Sequence, residues 1–355
     1  MRITFVLPGW SIDKPVGGFK VVYEYANRLS ERGHQVNVVH PLLPEEASFK
    51  QKMKKYALQI AKHLLGSSKV KWFSVSPKVR MLIVDSLKEE TIPKGDVIIA
   101  TAWQTAEWVA RYSPAKGEKF YLVMDFDPWL GPKDRLEATW RAPLKKVAIS
   151  RWLYEKVVKA GGDSVSVVSI GIDHRRFRLL NDIGTRPKRI AMLYSSVSYK
   201  ASGDGLLALE ISKAQYPHLE AILFGPNFPP GQVPSWITHK KNVSEATLVQ
   251  IYNQTGIYLC SSLAEGFALP PAEAMACGCA VVSTDCGGIR EYAEHEVNAL
   301  LSPPKDPQAL AQNILRLLED DDLRVRIAKA GYEKIQKFTW ENAVNQLEHI
   351  LSHSL

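Results

Sequence analysis

Short apolar runs alternate with stretches of helical periodicity along most of the chain. Near its start, Arg2–Leu7 is a continuous apolar run that predicts a strand, and Val21, Tyr25, Ala26 and Leu29 then recur at helical spacing. The other runs that predict strands in the first half are Gln35–Val39, Asp96–Ala100, Phe120–Met124, Lys146–Ile149 and Ser164–Val168. This alternation predicts a parallel sheet that helices cover on both faces.

The alternation restarts after a polar, basic stretch at Asp173–Lys188. The next predicted strands are Arg189–Leu193, Leu219–Phe224, Gly256–Leu259 and Ala280–Ser283, with helical patterns at Gly205–Ala214, Leu248–Tyr252 and Pro271–Cys277. A chain of 355 residues is also too long for one ordinary core. The sequence therefore predicts an α/β protein of two doubly wound, Rossmann-like domains that face each other across a cleft, with segments at 1–173, 174–335 and 336–355.

Composition narrows the class of protein only a little. Hydrophobic residues make up 46% and charged residues 23%, which is ordinary for a globular protein. The four cysteines, none in a CxxC pair, predict neither a disulfide framework nor a zinc site, and they are Cys260, Cys277, Cys279 and Cys286. Neither a signal-peptide pattern nor a membrane-spanning run is visible, so a cytoplasmic location fits best.

The formal net charge is +8, and five lysines cluster within residues 49–65 on a segment with an apolar stripe at helical spacing. A basic amphipathic helix can dock on anionic lipid, so contact with the inner membrane surface is one interpretation. A surface helix with a solvated lysine face is the other interpretation. A nucleic-acid partner is not expected, because no aromatic and basic interleaving accompanies the charge.

One segment, residues 261–288, carries most of the predicted chemistry. Glu265 follows a predicted strand, and Glu273 comes after seven intervening residues. If Pro271 is the first helical residue, a position that proline favours, Glu273 lies in the first helical turn. The backbone N–H groups of Phe267–Leu269 and the helix start can bind a diphosphate. Glu273 can accept two ribose hydroxyls, and Glu265 can hold sugar hydroxyls or stabilise an oxocarbenium-like transition state.

These residues resemble the E-x7-E motif of the retaining glycosyltransferases of family 4, which have the GT-B fold. The resemblance covers nearly the whole chain. Gly17–Gly18, read as a turn after the first strand, resembles the glycine loop on the acceptor side, and Ile170–Phe177 resembles the link between domains. Phe224–Gly225 and Asn242–Tyr252 resemble the segments that border the nucleotide. The opening residues are also similar to a subgroup that includes polysaccharide rhamnosyltransferases.

The resemblance implies a metal-independent transfer of a hexose or deoxyhexose from a UDP-, GDP- or dTDP-linked sugar to a glycan or lipid-linked hydroxyl, with retention of configuration. The N-terminal domain would hold the acceptor and the C-terminal domain the nucleotide-sugar, and the final helix would pack back on the N-terminal domain. The implied catalytic residues are Glu265, Lys200, which would neutralise the diphosphate, and Asp125, which would line the cleft. The implied ligand-binding residues are Glu273, Gly266, Phe267, Ala268, Leu269, Gly225, Val243, Gly17 and Gly18.

Two positions depart from the family pattern. Ser195 stands where the family usually has an arginine, and Lys20 or Arg290 would replace that cation. Met124 stands where the family usually has a histidine. A D-x-D tripeptide, Asp125–Asp127, is an alternative signature for a metal ion held against a diphosphate. A nucleotide-sugar epimerase and a non-catalytic GT-B binding subunit are the alternative functions.

Overall fold

The computed structural model describes residues 1–11, 15–42, 70–126, 132–227, 229 and 233–355. The chain divides into two compact units: the N-terminal unit joins Met1–Val168 to Trp340–Leu355, and the C-terminal unit is Ser169–Thr339. Each unit contains one all-parallel sheet flanked by helices. The predicted class of two doubly wound, Rossmann-like α/β domains is confirmed.

The N-terminal unit has a seven-stranded sheet in its described part. Its strands are β1 (Arg2–Val6), β2 (Gln35–Pro41), β3 (Arg80–Val84), β4 (Val97–Ala100), β5 (Glu118–Val123), β6 (Lys145–Ala148) and β7 (Val165–Val167). The strand order is β3-β2-β1-β4-β5-β6-β7. The helices are α1 (Gly17–Glu31), α2 (Trp103–Val109), α3 (Lys133–Arg141) and α4 (Arg151–Lys159).

The two glycines after β1 do not form the predicted turn, because α1 already begins at Gly17. A Cβ atom on Gly17 would meet no atom within 4 Å, and one on Gly18 would lie 3.4 Å from the Cε atom of Met124. The chain therefore enters α1 directly, with Gly18 packed close to the end of β5. The predicted turn is corrected to a helix start.

The C-terminal unit has a six-stranded sheet. Its strands are β8 (Arg189–Leu193), β9 (Glu220–Gly225), β10 (Ile237–Lys241), β11 (Ile257–Cys260), β12 (Ala280–Thr284) and β13 (Leu300–Ser302). The strand order is β10-β9-β8-β11-β12-β13. The helices are α5 (Ser202–Gln215), α6 (Glu245–Asn253), α7 (Leu269–Ala276), α8 (Pro307–Glu319) and α9 (Asp321–Ile335).

The last helix of the chain, α10 (Trp340–Ser352), belongs to the N-terminal unit. Its buried Trp340 ring lies edge-on to Tyr25 of α1, with 5.2 Å between ring centroids, and the Arg28 guanidinium lies 5.3 Å from the same ring. Glu348 also pairs with Arg32 at 2.6 Å. This amphipathic helix thus packs against α1.

In each sheet the strand order reverses between two central strands, β1 and β4 in one and β8 and β11 in the other. Loops that leave such a pair diverge to opposite faces of the sheet, so a crevice opens at the carboxyl ends of the strands, where ligands of these folds bind. In the C-terminal unit, the two loops at this point carry Lys200 and Glu265.

Candidate active site

Lys200 and Glu265 lie together at the switch point of the C-terminal sheet. The Lys200 Nζ atom is 2.6 Å from Glu265 Oε1. Lys200 ends a short 3-10 helix after β8, and Ala201 then adopts a left-handed conformation that turns the chain into α5. The backbone N–H of Glu265 donates to the Cys286 carbonyl at 2.9 Å, which fixes the loop after β11 to the end of β12.

The ion pair is mostly shielded from solvent, with 19% of the Lys200 side chain and 13% of the Glu265 side chain exposed. Burial alone would lower the pKa of Lys200. The neighbouring Glu265 carboxylate more than offsets this through its charge and its hydrogen bond, so the pKa of Lys200 is raised above its ordinary value. Lys200 therefore stays cationic across the physiological pH range.

A small cavity adjoins this pair within the C-terminal unit. Its lining includes Lys200, Glu265, Ser262, Tyr258, Pro270 and Pro271. The lining combines one cation, one carboxylate, three hydroxyls and apolar surface, which is the mixture expected where a polar ligand is held and water is displaced.

The loop from Glu265 to α7 differs from the prediction in one respect. α7 begins at Leu269 after a left-handed Ala268, two residues earlier than Pro271, so Glu273 lies in the second helical turn. Since proline has no N–H, Pro270 and Pro271 leave the helix start with fewer amide donors than predicted.

The loop itself supplies amide donors. Within the described chain, the N–H groups of Phe267 and Ala268 donate to no protein acceptor. The Phe267 ring packs between Tyr292 and Phe338, at 5.2 and 6.0 Å between centroids, and the Tyr292 hydroxyl donates to the Ala268 carbonyl at 2.5 Å. These contacts fix the loop so that it can present its amides to an anion.

Gly266 is held close to the backbone just beyond β12. A Cβ atom on Gly288 would lie 2.2 Å from the Gly266 carbonyl oxygen, and Gly287 adopts a positive φ of 84°. Only glycine allows this approach of two backbone segments. Gly287 and Gly288 were not among the predicted site residues, although the Gly-Gly dipeptide within residues 261–288 is a visible signal.

Glu273 is buried, with 6% of its surface exposed, inside the C-terminal unit. Burial raises the pKa values of the Tyr252 and Tyr258 phenols well above their usual range, and the nearby Glu273 charge raises both further. Both phenols therefore stay protonated beside the carboxylate. A carboxylate can accept hydrogen bonds from ligand hydroxyls, but Glu273 is not among the residues that line the cavity beside Lys200 and Glu265.

Gly225 and Val243 border the same sheet edge. The Gly225 carbonyl, at the end of β9, accepts from the Asn242 N–H at 2.9 Å, and a Cβ atom on Gly225 would lie 2.0 Å from the Tyr194 carbonyl oxygen. The half-buried Val243 precedes Ser244, whose hydroxyl caps α6 by accepting from the Thr247 N–H at 3.1 Å. The structure thus brings the loops after β8, β9 and β10 together.

Ser195, one of the two positions that depart from the family pattern, has a local structural role. Its N–H donates to Ser202 Oγ at 2.9 Å, and its hydroxyl accepts from the Val197 N–H at 3.2 Å. The proposed replacement cation Arg290 pairs with the Asp285 carboxylate, with Nε 2.7 Å from Oδ1. Its charge is therefore already engaged outside the Lys200–Glu265 pair.

The remaining predicted residues lie in the N-terminal unit. Gly18 and Met124 are close to each other, Gly17 is exposed, and Asp125 is exposed after β5. Asp125 adds to the pKa increase that burial causes at the Tyr121 phenol. Asp127 of the D-x-D tripeptide and the basic segment 49–65 lie outside the described residues.

The described residues bear on metal and membrane binding in two ways. They contain no group of three His, Cys, Asp or Glu side chains placed to hold one metal ion. None of their helices is long and apolar enough to cross a bilayer.

Comparison with known proteins finds similarity in the same part of the chain. Residues 235–334, which contain both glutamates of the E-x7-E motif, match the model of the family described as glycosyl transferases group 1. The chain is 36% identical over 100 residues to D-inositol 3-phosphate glycosyltransferase of Corynebacterium urealyticum, covering 28% of this chain and 24% of that protein. It is 30% identical over 222 residues to the amylovoran biosynthesis glycosyltransferase AmsK of Erwinia amylovora, covering 57% and 54%.

A solved structure extends the likeness to the whole fold. HepE of Anabaena, crystallised in complex with UDP and glucose, matches with a TM-score of 0.75 over 100% of both chains at 18% identity. At that identity the likeness concerns the fold, which is that of GT-B glycosyltransferases. The chain matches as little as 24% and 20% of the length of some curated relatives. The likeness to the group 1 glycosyl transferases is thus carried by residues 235–334.

Proposed function

We propose that this protein is a retaining glycosyltransferase that moves a hexose or deoxyhexose from a nucleoside-diphosphate sugar to a hydroxyl of a glycan or glycolipid, without a metal ion. The observation that carries the proposal is the Lys200–Glu265 ion pair, 2.6 Å long, at the switch point of the C-terminal sheet. The loop beside it presents backbone amides, and the family match covers that loop and Glu273.

The charges at this site suit the departure of a nucleoside diphosphate. Lys200 stays cationic at neutral pH, and the Phe267 and Ala268 amides can add hydrogen bonds to the same phosphates. Donors that are already in place when negative charge develops lower the barrier to leaving-group departure. In this proposal Lys200 and the loop together take the place of a divalent cation.

The two glutamates have separate tasks in the proposal. Glu273 accepts the ribose hydroxyls, while Glu265 accepts a hydroxyl of the donor sugar or stabilises positive charge on its ring. Departure of the phosphate and attack of the acceptor on the same face of the sugar would retain the configuration. The leaving phosphate would guide the incoming hydroxyl and take up its proton, so no separate general base is required.

Donor binding is the first test. Thermal unfolding is measured with UDP, GDP, dTDP and their common sugar conjugates, in EDTA and then with Mg²⁺, on the wild type and on Glu273→Ala. A ligand at 100 times its Kd stabilises the fold by about 2.7 kcal/mol. We expect one nucleotide to shift the wild type in EDTA and to shift Glu273→Ala far less. Glu319→Ala, which removes an exposed carboxylate from α8, is the matched control and should respond like the wild type.

The chemistry is tested with the donor so identified. The anomeric configuration of the product, read by NMR, should equal that of the donor, and an inverted product contradicts retention. Donor conversion without acceptor would favour an epimerase, and donor binding without turnover by the purified chain would favour a binding subunit. A shift that requires Mg²⁺ would favour the D-x-D alternative at Asp125–Asp127.

Acceptor location is part of the same proposal. A lipid-linked acceptor would bring the protein to the inner membrane surface, with the basic segment 49–65 as the contact. Co-sedimentation with vesicles containing anionic lipid, compared with neutral vesicles, tests this. Equal binding to both would contradict an electrostatic contact through that segment.

A further inference from the structure

We infer that Ser262 is a positioning residue for the Glu265 carboxylate and keeps it oriented while Lys200 serves the diphosphate. The inference rests on the proposed function. Ser262 Oγ donates to Glu265 Oε1 at 2.6 Å, and Lys200 Nζ approaches the same oxygen at 2.6 Å. One carboxylate oxygen thus has a neutral donor and a cationic donor.

The two carboxylate oxygens of Glu265 differ in the hydrogen bonds that they accept. Within the described residues no donor reaches Oε2, whereas Oε1 has two. A carboxylate oxygen that is already bonded twice has little capacity for a further short hydrogen bond. Oε1 is therefore the anchored end of the side chain, and Oε2 is the end that can accept a hydroxyl of the sugar.

Ser262 is itself held rigidly. It is buried two residues beyond β11, and its carbonyl accepts a hydrogen bond from the Thr284 hydroxyl at the end of the neighbouring β12. Cys260 Sγ lies 3.6 Å from Ser262 Oγ and donates to it. Since the Ser262 oxygen receives this contact, its single O–H is directed to Glu265.

The two donors to Oε1 respond differently when a diphosphate enters. Lys200 carries a charge, so phosphate oxygens attract it away from Glu265 or share it. The Ser262 hydroxyl is neutral and belongs to a rigid segment just beyond β11, so it has no comparable reason to move. In the state that reacts, Ser262 is therefore the contact that still defines where Oε2 points.

The test compares Ser262→Ala with Ser262→Thr, which keeps a hydroxyl. Ser283→Ala is the matched control, because Ser283 is equally buried on β12 but donates to the Thr284 carbonyl at 2.7 Å. We expect Ser262→Ala to lower kcat by about tenfold to a hundredfold, since a small misplacement of a reacting group has that cost. The affinity for the nucleoside diphosphate, which lacks the sugar, should stay unchanged, and Ser262→Thr should recover most of kcat.

Either of two results overturns the inference. One is a kcat for Ser262→Ala equal to that of Ser283→Ala. The other is an equal loss of activity in Ser262→Ala and Ser262→Thr together with a lowered Tm, which would make the hydroxyl structural only.

Failure of the proposed function can be distinguished from failure of the inference about Ser262. If the wild type transfers no sugar from any donor, that function fails, and the Ser262–Glu265 contact is judged by thermal unfolding alone. Ser262→Ala, Glu265→Gln and the double variant form a cycle whose Tm changes should be non-additive if the contact holds Glu265. Additive changes would overturn the inference.

Discussion

Lys200 keeps its positive charge although only 19% of its side chain is exposed, because Glu265 Oε1 lies 2.6 Å from its Nζ atom. Desolvation disfavours the charged form, but the attraction of Glu265 exceeds that cost and raises the pKa of Lys200. Each partner therefore depends on the other. A buried pair that loses one member leaves the other charge without compensation.

This dependence predicts the behaviour of Lys200→Met. The variant should unfold more easily, by up to about 3 kcal/mol, because the Glu265 carboxylate stays behind in a shielded position. The double variant Lys200→Met with Glu265→Gln should recover stability, since no unpaired charge remains. It should not recover sugar transfer. Urea unfolding and a transfer assay on the same preparations measure both. Wild-type turnover in Lys200→Met would contradict the role of Lys200 in neutralising the diphosphate.

At the scale of secondary-structure elements, the site depends on close contact between two loops. The segment from Glu265 to Ala268 lies on Gly287 and Gly288, and the Gly288 N–H donates to the Glu265 carbonyl at 3.0 Å. Backbone contacts as close as these leave no room for a side chain. The geometry of the segment from Glu265 to Ala268 is thus decided by two glycines beyond β12.

Gly288→Ala should displace this loop. Its Cβ atom would lie 2.2 Å from the Gly266 carbonyl oxygen, so the backbone has to shift, at a cost of about 1–3 kcal/mol. We expect a lower Tm and loss of the nucleotide-induced thermal shift. Gly203→Ala is the control, because a Cβ atom there would meet nothing within 4 Å in α5. An unchanged nucleotide shift in Gly288→Ala would show that the loop tolerates movement.

At the scale of the whole molecule, one buried histidine makes the N-terminal unit sensitive to acid. His40 is fully buried on β2, and burial lowers its pKa from 6.5 to about 4. Its Nδ1 atom lies 2.8 Å from the Gly9 carbonyl oxygen, and Nε2 lies 3.3 Å from the Tyr23 hydroxyl. Neutral imidazole fits both contacts, with Nδ1–H as the donor to Gly9 and Nε2 as the acceptor from Tyr23.

Protonation of His40 should therefore oppose folding. Above pH 6.5 the residue is neutral in the folded and unfolded chains, so it has no effect on the pH dependence. As the pH falls from 6.5 towards about 4, only the unfolded chain takes up the proton, and up to about 3 kcal/mol of stability is lost. The free energy of unfolding, measured across this range for wild type and His40→Gln, should fall more steeply in the wild type. Parallel curves would contradict the assignment.

The sequence by itself determined the fold class and predicted which residues form the proposed site. Alternating apolar runs fix which residues enter a buried sheet, so strands such as Arg189–Leu193 were predicted with their observed limits. The spacing of Glu265 and Glu273 likewise places one glutamate after a strand and one in the following helix. Both conclusions depend only on local periodicity and residue chemistry, which a sequence carries directly.

Tertiary structure alone decided the contacts between distant segments. The Lys200–Glu265 pair, the second hydrogen bond from Ser262 and the support from Gly288 all depend on the order of strands in the sheet, which no local pattern specifies. The start of α7 at Leu269, ahead of two prolines, also follows from the left-handed Ala268, whose carbonyl is held by Tyr292. Such features arise because packing of remote segments overrides local preference, so they become visible only in the folded chain.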